Sequence, residues 1–518
     1  MALNRTAGPD GITVEFFRAF FTIISPLFIN VINEIFEKES LTESQKLSYI
    51  SLLPKDSGPL SEMQNYRPVS LLNVDIKIIA KSLEQKVCPF LGYVIHTDQA
   101  SAVKGRTITD HNHNIRDIII YAEEKQIHSS ILSLDQRKAF DRVSHEYLHA
   151  VLEQINLGTY FRTWIKIMYD DPRSSLLINH TLSAPFSLGR SVRQGDPLSP
   201  ALYVISLEPF LHKIREDTNI KGITLPGGKI QKVLAFADDA NFFPTNNKSI
   251  EKIMETSKHF GRASGSEINE KKTQALALGT WKPQERDPLG IKWVEFLKIF
   301  GITYKKGTDP NTEEQWKKIV ESATQTLNHF YFKQTSVFGR AIIVNTLILP
   351  KINYLLQTLD PKNNTIREMN IQIRNFLFKG TVKRIRHNTL IQDKEKGGIN
   401  LQDIETRMKV YRLKLMQEII KDKNKFRVGY YYLALKLNKF VRVDNTTPKF
   451  SEEHTKGFPA FYKSCISILK EHNITVQRET TKNVPRNSRE ETNSHVRAIK
   501  KGKKPNPNTH VRTLRKLT

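Results

Sequence analysis

Apolar residues recur every three or four positions along several long stretches of the chain, a spacing that predicts amphipathic helices. The predicted helices cover residues 13–38, 69–90, 148–169, 200–217 and 250–265. From Glu313 onward the pattern is mainly helical. No internal repeat interrupts it.

Shorter apolar runs bounded by turn residues predict strands. Residues 47–53 and 130–135 form two such runs, whereas 60–68 has the composition of a loop. Residues 174–189 alternate as a hairpin does, and 233–243 predict a strand, a turn and a second strand. Because strands and helices mix without a regular βαβ rhythm, the sequence predicts an α+β fold.

Composition narrows the classes of partner. The 518 residues are 39% hydrophobic and 25% charged, as in globular proteins, and the length suggests three or four units. The net charge of +26 points to a polyanion, either nucleic acid or an anionic membrane surface. Apolar runs such as 341–350 are about half the ~20 residues of a membrane span, so no membrane partner is expected.

Two cysteines, Cys88 and Cys465, are too few for a disulfide framework or a Cys-rich zinc knuckle, so we expect no disulfide partner and a reducing compartment. The segment 481–518 has 11 Lys or Arg against 2 acids and is predicted to be a disordered basic tail. It is either merely solvated, or a phosphate-binding arm, or a nuclear import signal around 500–504.

The sharpest local feature is the pair Asp238-Asp239, which sits between two apolar runs. Adjacent acids are costly to bury unless a cation compensates them, and Mg²⁺ takes one or two carboxylates together with phosphates and water. An ordinary acidic turn is the alternative. Asp135 ends another predicted strand, and if the two strands are neighbours, Asp135 and Asp238 can hold two metal ions about 3.5–4 Å apart.

Three other segments contain candidate nucleotide-binding residues, and each of them also has an ordinary structural explanation. Phe140 lies where the predicted strand gives way to a helix. Its ring could block a ribose 2′-hydroxyl, or it could be an ordinary core aromatic. Gln194 can hydrogen-bond a nucleotide and Gly195 permits close backbone approach, although the same loop could simply cap a helix. Lys55 and the more constrained Arg67 can bind phosphate oxygens or be solvated.

Taken in order, these motifs resemble the reverse transcriptases of non-LTR retrotransposons of the long interspersed element type. The segments that carry the resemblance are GPDG at 8–11, NYRPVSLLN at 65–73, Asp135 with AFD at 139–141, RQGDPLSP at 193–200, FADD at 236–239, SEINEKKT at 266–273, LKIFGI at 297–302, NTLI at 388–391 and KGGI at 396–399.

The resemblance implies a right-hand polymerase followed by a mainly helical C-terminal region. Its expected parts are fingers at 1–130, a palm with an antiparallel sheet at 131–305, a helical thumb at 306–380, a post-thumb region at 381–480 and the tail at 481–518.

The resemblance also implies roles for single residues. Asp135, Asp238 and Asp239 would be the catalytic, metal-binding carboxylates, and Lys272 a general acid, with Lys271 as its rival. The expected nucleotide-binding residues are Lys55, Arg67, Gln136, Phe140 as steric gate, Gln194 and Gly195. Residues 297–302 resemble the primer grip.

The implied cofactor is a pair of Mg²⁺ ions, with Mn²⁺ as a substitute. The implied partners are an RNA template, a primer or target DNA and dNTPs. Residence in the nucleus is expected, with synthesis and RNA capture in the cytoplasm.

The family's endonuclease, Cys/His knuckle and RNase H motifs are not found, so the sequence suggests a truncated copy that does not nick its own target. An RNA-dependent RNA polymerase shares the two-metal palm, but Phe140 at the gate and Gln194-Gly195 argue against it. The principal alternative is a catalytically inactive nucleic-acid-binding remnant.

Overall fold

The structure is a computed structural model that describes residues 1–55, 59–283, 289–307, 309–310, 313–361, 363–380, 385–436 and 457–471. The predicted tail at 481–518 lies outside the described residues.

Helices and strands alternate without a repeating unit in the N-terminal part of the chain. Its elements are α1 (Val14–Glu37), α2 (Glu43–Lys46), β1 (Leu47–Pro54), β2 (Tyr66–Leu71), α3 (Val74–Val94) and α4 (Ile108–Glu124).

The middle of the chain holds most of the strands. Its elements are β3 (Ser129–Leu134), α5 (Ala139–Arg142), α6 (His145–Gln154), α7 (Thr159–Met168), β4 (Arg173–Ile178), β5 (Thr181–Leu182), β6 (Phe186–Ser187), α8 (Ser199–Glu216), β7 (Ile223–Thr224), β8 (Ile230–Gln231), β9 (Val233–Phe236), β10 (Asp239–Phe242), α9 (Asn247–Ser264), β11 (Gln274–Leu278) and β12 (Lys292–Trp293).

One hairpin precedes a helical C-terminal part. The elements there are β13 (Phe296–Ile299), β14 (Ile302–Lys305), α10 (Glu313–Tyr331), α11 (Val337–Ile343), α12 (Leu349–Thr358), α13 (Asn363–Phe378), α14 (His387–Ile391), α15 (Ile404–Lys421), α16 (Arg427–Tyr430) and α17 (Ala460–Glu471). The α+β class and the helical C-terminal region are therefore confirmed.

Most of the described strands belong to two five-stranded sheets, and β7–β8 and β13–β14 form two separate pairs. The first has the order β2-β1-β4-β5, with β6 also paired to β4, and β1 runs antiparallel to β2 but parallel to β4. The second, central sheet has the order β12-β11-β3-β10-β9, and the β3–β10, β10–β9 and β11–β3 pairs are antiparallel. The antiparallel sheet expected of the palm is thus present.

The central sheet is covered on both faces. Ile131 belongs to the core that includes α4 and the C-terminal helices, whereas its neighbour Leu132 belongs to the core built with α3, α6, α8 and α9. Successive strand residues point to opposite faces, so a sheet buried on both sides can carry apolar residues at adjacent positions. This explains the adjacent apolar residues Ile131-Leu132 of β3 and the continuous apolar run 233–236 of β9.

Two predicted boundaries are wrong. Residues 66–71 form strand β2, where a loop and the start of a helix were expected, because Tyr66–Leu71 pairs along its length with β1. The helix predicted over 148–169 is two helices, since α6 ends at Gln154, Asn156 then turns the chain in a left-handed conformation (φ 54°), and Gly158 is the N-cap of α7. Tertiary pairing and a turn override the apolar spacing in these places.

Helices α1 and α3 have the same helical spacing of apolar residues, but this apolar face is exposed in α1 and buried in α3. The apolar stripe of α3 is buried, including Ile76 and Val87, whereas Ile23 of α1 is 73% exposed and Leu27 69%. By length and composition alone, helix α1 could also cross a membrane. The sequence prediction missed this possibility because it considered only uninterrupted apolar runs. The absence of a membrane partner stays a prediction.

Candidate active site

The β9–β10 hairpin carries the two adjacent acids at its tip. Asp239 pairs with Phe236 across the hairpin, so Ala237 and Asp238 form the turn, with Ala237 in the left-handed region at φ 52°. On the other side, β10 pairs with β3 in a register that sets Ala240 opposite Leu134. Asp135, the residue after Leu134, therefore lies beside the hairpin tip, as the sequence predicted.

The three carboxylates act on one another electrostatically. Burial raises the pKa of Asp238, and the charge of Asp135 raises it further. Burial, then Asp238, then Asp135 raise the pKa of Asp239 to about 6. No lysine or arginine of the described residues forms a salt bridge with any of the three. The site therefore has negative charge that no salt bridge of the described residues neutralises.

This donor set suits a hard divalent cation. Within the described ranges, no group of three or more His, Cys, Asp or Glu side chains is closed tightly enough to hold a metal on its own. Mg²⁺ does not need such a cage, because it keeps water and takes substrate phosphates beside one or two carboxylates. The oxygen-only, mutually repelling ligands at the ends of two adjacent strands fit that mode of binding.

Lys55 lies among other cations and within electrostatic range of Asp135. The pKa of Lys55 is lowered by burial and then by the positive charges of Lys272, Arg67 and Lys138, while Asp135 opposes them. The structure thus brings together three predicted residues from separate segments, two of them expected to bind phosphate and one expected to donate a proton. It adds Lys138, which sequence reasoning missed although it stands three residues after Asp135.

An aromatic pair forms one wall beside the carboxylates. Phe140 stacks on Tyr203 of α8, with ring centroids 4.5 Å apart and planes 13° from parallel. The Tyr203 hydroxyl donates a hydrogen bond to Oε1 of Gln136 at 3.1 Å. Burial, followed by the charges of Asp238 and Asp239, raises the pKa of Tyr203. Sequence reasoning missed Tyr203, because inside an apolar helix nothing marks it.

Phe140 therefore combines its two sequence interpretations. It is partly buried against the core of α3, α6, α8 and α9, and it also stands at the turn into α5 close to the site. Its backbone carbonyl accepts a hydrogen bond from the Val192 amide at 2.8 Å, which fixes the turn. A ring held in this way can act as a steric boundary.

The loop before α8 is tied to the N-terminal sheet. The Ser70 amide of β2 donates to the Gln194 carbonyl at 2.8 Å. Gly195 has φ 107°, and a Cβ atom there would lie 2.8 Å from the Ser70 carbonyl oxygen. The absence of a side chain at Gly195 thus allows the strand to approach closely. The Gln194 side-chain amide donates to Oδ1 of Asp141 at 3.4 Å.

The base of this loop is buried and polar. Asp196 accepts a hydrogen bond from the Leu198 amide at 2.9 Å, and the side chain of Arg193 is 3% exposed. Burial raises the pKa of Asp196 to about 6, although the charges of Arg193 and Lys77 oppose the rise. The loop is therefore anchored by buried groups and presents Gln194 and Gly195 beside the cleft.

An antiparallel sheet that carries three carboxylates at adjacent strand ends, with cations from a second sheet facing them, is the palm of a right-hand nucleotidyltransferase. Residues 53–303 match the sequence profile of the family described as reverse transcriptase (RNA-dependent DNA polymerase), and this part of the chain is a reverse transcriptase domain. Such a domain implies a polymerase that depends on divalent metal.

Sequence relatives place the domain with non-LTR retrotransposons. The chain is 34% identical over 429 residues, 81% of its length, to the transposon TX1 uncharacterized 149 kDa protein of Xenopus laevis. It is 26% identical over 385 residues, 68% of its length, to a Pol polyprotein from the type-1 retrotransposable element R2 of Popillia japonica. The resemblance stated from the motifs is confirmed.

The chain spans 32% of the TX1 protein and 50% of the R2 polyprotein. Among solved structures, apo telomerase from Candida tropicalis matches at 12% identity over 79% of this chain and 74% of that one, with a TM-score of 0.40. That likeness is too low to bear on the fold, which rests on the strand order and on the palm site.

Proposed function

We propose that the chain is an RNA-directed DNA polymerase that adds dNTPs to a primer 3′-hydroxyl annealed to an RNA template. The observation that carries this proposal is the set of three adjacent carboxylates at the end of β3 and on the β9–β10 hairpin, inside a reverse transcriptase domain. An inactive nucleic-acid-binding remnant is not favoured, because the carboxylates are intact and adjacent.

Asp135 and Asp238 would hold two Mg²⁺ ions, for which Mn²⁺ can substitute, with Asp239 beside them. When bound, such ions lower the pKa of the 3′-hydroxyl and neutralise charge on the leaving pyrophosphate. The 3′-oxygen forms a bond to the α-phosphorus, and the bond from that phosphorus to the bridging oxygen breaks. The raised pKa of Asp239 reflects the repulsion that bound cations would relieve.

Lys55 and Arg67 would bind the β- and γ-phosphates, since both are cations and Lys55 lies within electrostatic range of Asp135 and of Arg67. Lys272 shares that electrostatic environment and is the better candidate for protonating pyrophosphate. Its neighbour Lys271 is the alternative for that role.

Phe140, supported by Tyr203, would exclude a 2′-hydroxyl from the nucleotide site. Gln136 would hold Tyr203 in place, and Gln194 and Gly195 would contact the incoming nucleotide from the loop before α8.

The broader assignments are also proposals. They comprise fingers at 1–130, palm at 131–305, thumb at 306–380 and a post-thumb region at 381–480. They also comprise an RNA template with a primer or target DNA as partners, and nuclear residence after RNA capture in the cytoplasm. The net charge of +26 supports binding to phosphate backbones.

Primer extension on an annealed RNA template, with Mg²⁺ and all four dNTPs, tests the function. The wild type should extend the primer, and Asp238→Ala should lose at least about a thousandfold in rate, because no other group can take over its ligand position. RNA affinity should stay within a few-fold of wild type. The exposed Glu153→Ala variant is the matched control and should extend normally.

A folded, RNA-binding wild type that does not extend would contradict the proposal and identify a remnant. Comparable loss of RNA binding in Asp238→Ala would remove Asp238 from the metal site.

A further inference from the structure

A short segment between α3 and α4 runs beside the outer strand of the central sheet. Gln99 bridges Ala235 of β9 in parallel orientation. The Ala235 amide donates to the Asp98 carbonyl at 2.7 Å, and the Ala100 amide donates to the Ala235 carbonyl at 3.0 Å. The segment thus covers the edge of the sheet next to the hairpin that carries Asp238.

The Gln99 side chain reaches along this edge to the hairpin turn. Its Oε1 accepts a hydrogen bond from the Ala237 amide at 2.9 Å, and its Nε2 donates to the Ala237 carbonyl at 3.2 Å. Oε1 also accepts from the Ser101 amide at 3.0 Å. The side chain is fully buried, with 0% exposure. A single carboxamide therefore pairs with both peptide groups of the residue immediately before Asp238.

Ala237 is a residue that needs such support. Its φ of 52° is a left-handed conformation that residues with a Cβ atom rarely adopt and that persists only where surrounding structure fixes it. The turn must also hold Asp238 close to Asp135 against their mutual repulsion. A hydrogen-bonded clamp on Ala237 opposes both effects.

The segment that carries Gln99 is itself fixed by charged side chains. Arg106 donates to the Gln99 carbonyl at 2.8 Å and to the His96 carbonyl at 2.6 Å. Arg215 donates to both carboxylate oxygens of Asp98, at 3.0 and 3.2 Å. Gln99 therefore projects from a rigid base, as a residue that sets the position of another must.

We propose that Gln99 is a positioning residue of the polymerase site, whose carboxamide holds the hairpin turn so that Asp238 is presented to Asp135 and to divalent cations. The catalytic consequence rests on the proposed function. The positional claim itself concerns only this chain and can be measured without substrate.

Gln99→Met is the first test, because methionine has nearly the same length but cannot make the hydrogen bonds. Its matched control is Gln231→Met, which removes another mostly buried glutamine whose Nε2 donates to the Val233 carbonyl of the same sheet, away from the turn. Three quantities are measured in the full chain: Mn²⁺ affinity by electron paramagnetic resonance, hydrogen exchange of peptides covering 233–242, and extension kinetics.

In Gln99→Met we expect Mn²⁺ affinity to fall about tenfold and exchange at the turn to rise about tenfold, the effect of losing a buried hydrogen-bonded clamp. The kcat for extension should fall about 10- to 100-fold, with KM for dNTP and RNA affinity within a few-fold of wild type. Gln231→Met should change none of these values more than about twofold.

The inference is overturned if Gln99→Met folds and binds Mn²⁺ and exchanges as wild type does, or if Gln231→Met has the same effects. If Gln99→Met does not fold, Gln99→Glu is the second variant. It replaces the Nε2 amide that donates to the Ala237 carbonyl and keeps an oxygen that can accept from the Ala237 amide. Its turn should exchange faster than in wild type, and unchanged exchange would also overturn the inference. A wild type that binds Mn²⁺ but never extends refutes the proposed function and leaves the positional test intact.

Discussion

Two clusters of charged side chains in the described residues differ in how their charge is compensated. At the tip of the β9–β10 hairpin, Asp135, Asp238 and Asp239 face one another without a salt bridge in the described residues. Where α4, α12, α15 and α17 meet, two fully buried arginines are surrounded by acceptors. In the described part of the chain, the carboxylate cluster therefore has no cationic partner in a salt bridge, whereas each of the two arginines pairs with a carboxylate of the chain.

Arg412 illustrates complete internal compensation. It donates five hydrogen bonds of 2.8–3.1 Å, to the Asp360 carboxylate and to the carbonyls of Leu356, Gln357 and Leu359. These carbonyls lie at the C-terminal end of α12, where a helix leaves acceptors unpaired. Arg412 thus joins α15 to the end of α12.

Arg116 performs a similar task for the last described helix. It forms a salt bridge with Asp117 at 2.7 Å and donates to the Thr358 carbonyl at 2.8 Å. Helix α17 inserts the Phe461 ring against its guanidinium, 3.4 Å from the ring centroid, while the Tyr462 hydroxyl donates to Asp117 at 2.7 Å. Helix α17, which follows the last motif of the sequence at 396–399, is therefore attached to α4 by buried polar contacts.

The comparison separates structural from functional buried charge. Where the buried charges are paired and hydrogen-bonded within the chain, the cluster holds elements together, and removal of one partner leaves an uncompensated charge. Where like charges adjoin a cleft without partners, the cluster is completed by a cation and substrate. Mutations should therefore affect stability in one cluster and chemistry in the other.

The largest effect on stability is expected for Arg412→Met. Loss of the guanidinium removes the hydrogen bonds to Asp360 and to three carbonyls, so the free energy of unfolding should fall by about 3–5 kcal/mol. Urea denaturation followed by circular dichroism measures this. Arg137→Met, which removes an exposed pair with Glu267, is the control and should change stability by less than about 1 kcal/mol. An equal loss of stability in both variants would contradict the prediction that buried charge contributes more than exposed charge.

A smaller effect, on selectivity rather than stability, is expected for Phe140→Val. Shortening this ring should raise ribonucleotide incorporation relative to deoxyribonucleotide about 10- to 100-fold, because the steric boundary beside Tyr203 is removed. Competitive single-nucleotide extension measures it. The control is Phe260→Val, another partly buried aromatic of the same core that packs on Phe210. Unchanged sugar selectivity would make Phe140 a core residue only.

The smallest effect concerns Asp196, a buried acid that resembles both clusters in part. Because its folded-state pKa of about 6 exceeds the usual 3.8, the folded protein binds this proton more tightly than the unfolded chain. Asp196 therefore favours folding below pH 3.8, and this contribution is lost as the pH rises through 6. Asp196→Asn should stabilise the protein at pH 8 by about 1–3 kcal/mol and flatten the stability profile between pH 4 and 6. Denaturation at several pH values checks this, and a destabilised variant at pH 8 would contradict it.

Most of the site's elements could be predicted because local patterns specify them. The strand ending at Asp135, the strand–turn–strand around Asp238 and the helix after Arg193 all lie where apolar runs and turn residues predicted them. Their adjacency needed one assumption, that β3 and β10 are neighbours, and the register of Ala240 opposite Leu134 confirms it.

Contacts between distant segments could not be predicted. Nothing in the sequence marks Gln99 as the partner of Ala237, 138 residues away, or Tyr203 as the partner of Phe140. Strand β2 was missed for the same reason, since only its pairing with β1 makes Tyr66–Leu71 extended. The exposed stripe of α1 shows the converse, because helical spacing predicts a helix but not what covers it.

By itself, the sequence determined the class of the protein, the positions of its three carboxylates and the approximate bounds of most elements, because these depend on short-range periodicity and on motifs a few residues long. Only the tertiary structure decided which side chains hold those carboxylates in place and how the motif-free C-terminal helices are attached. Those contacts join residues 52 to 345 positions apart, and the free energy that selects them comes from burial and hydrogen bonding in the assembled core rather than from local preference.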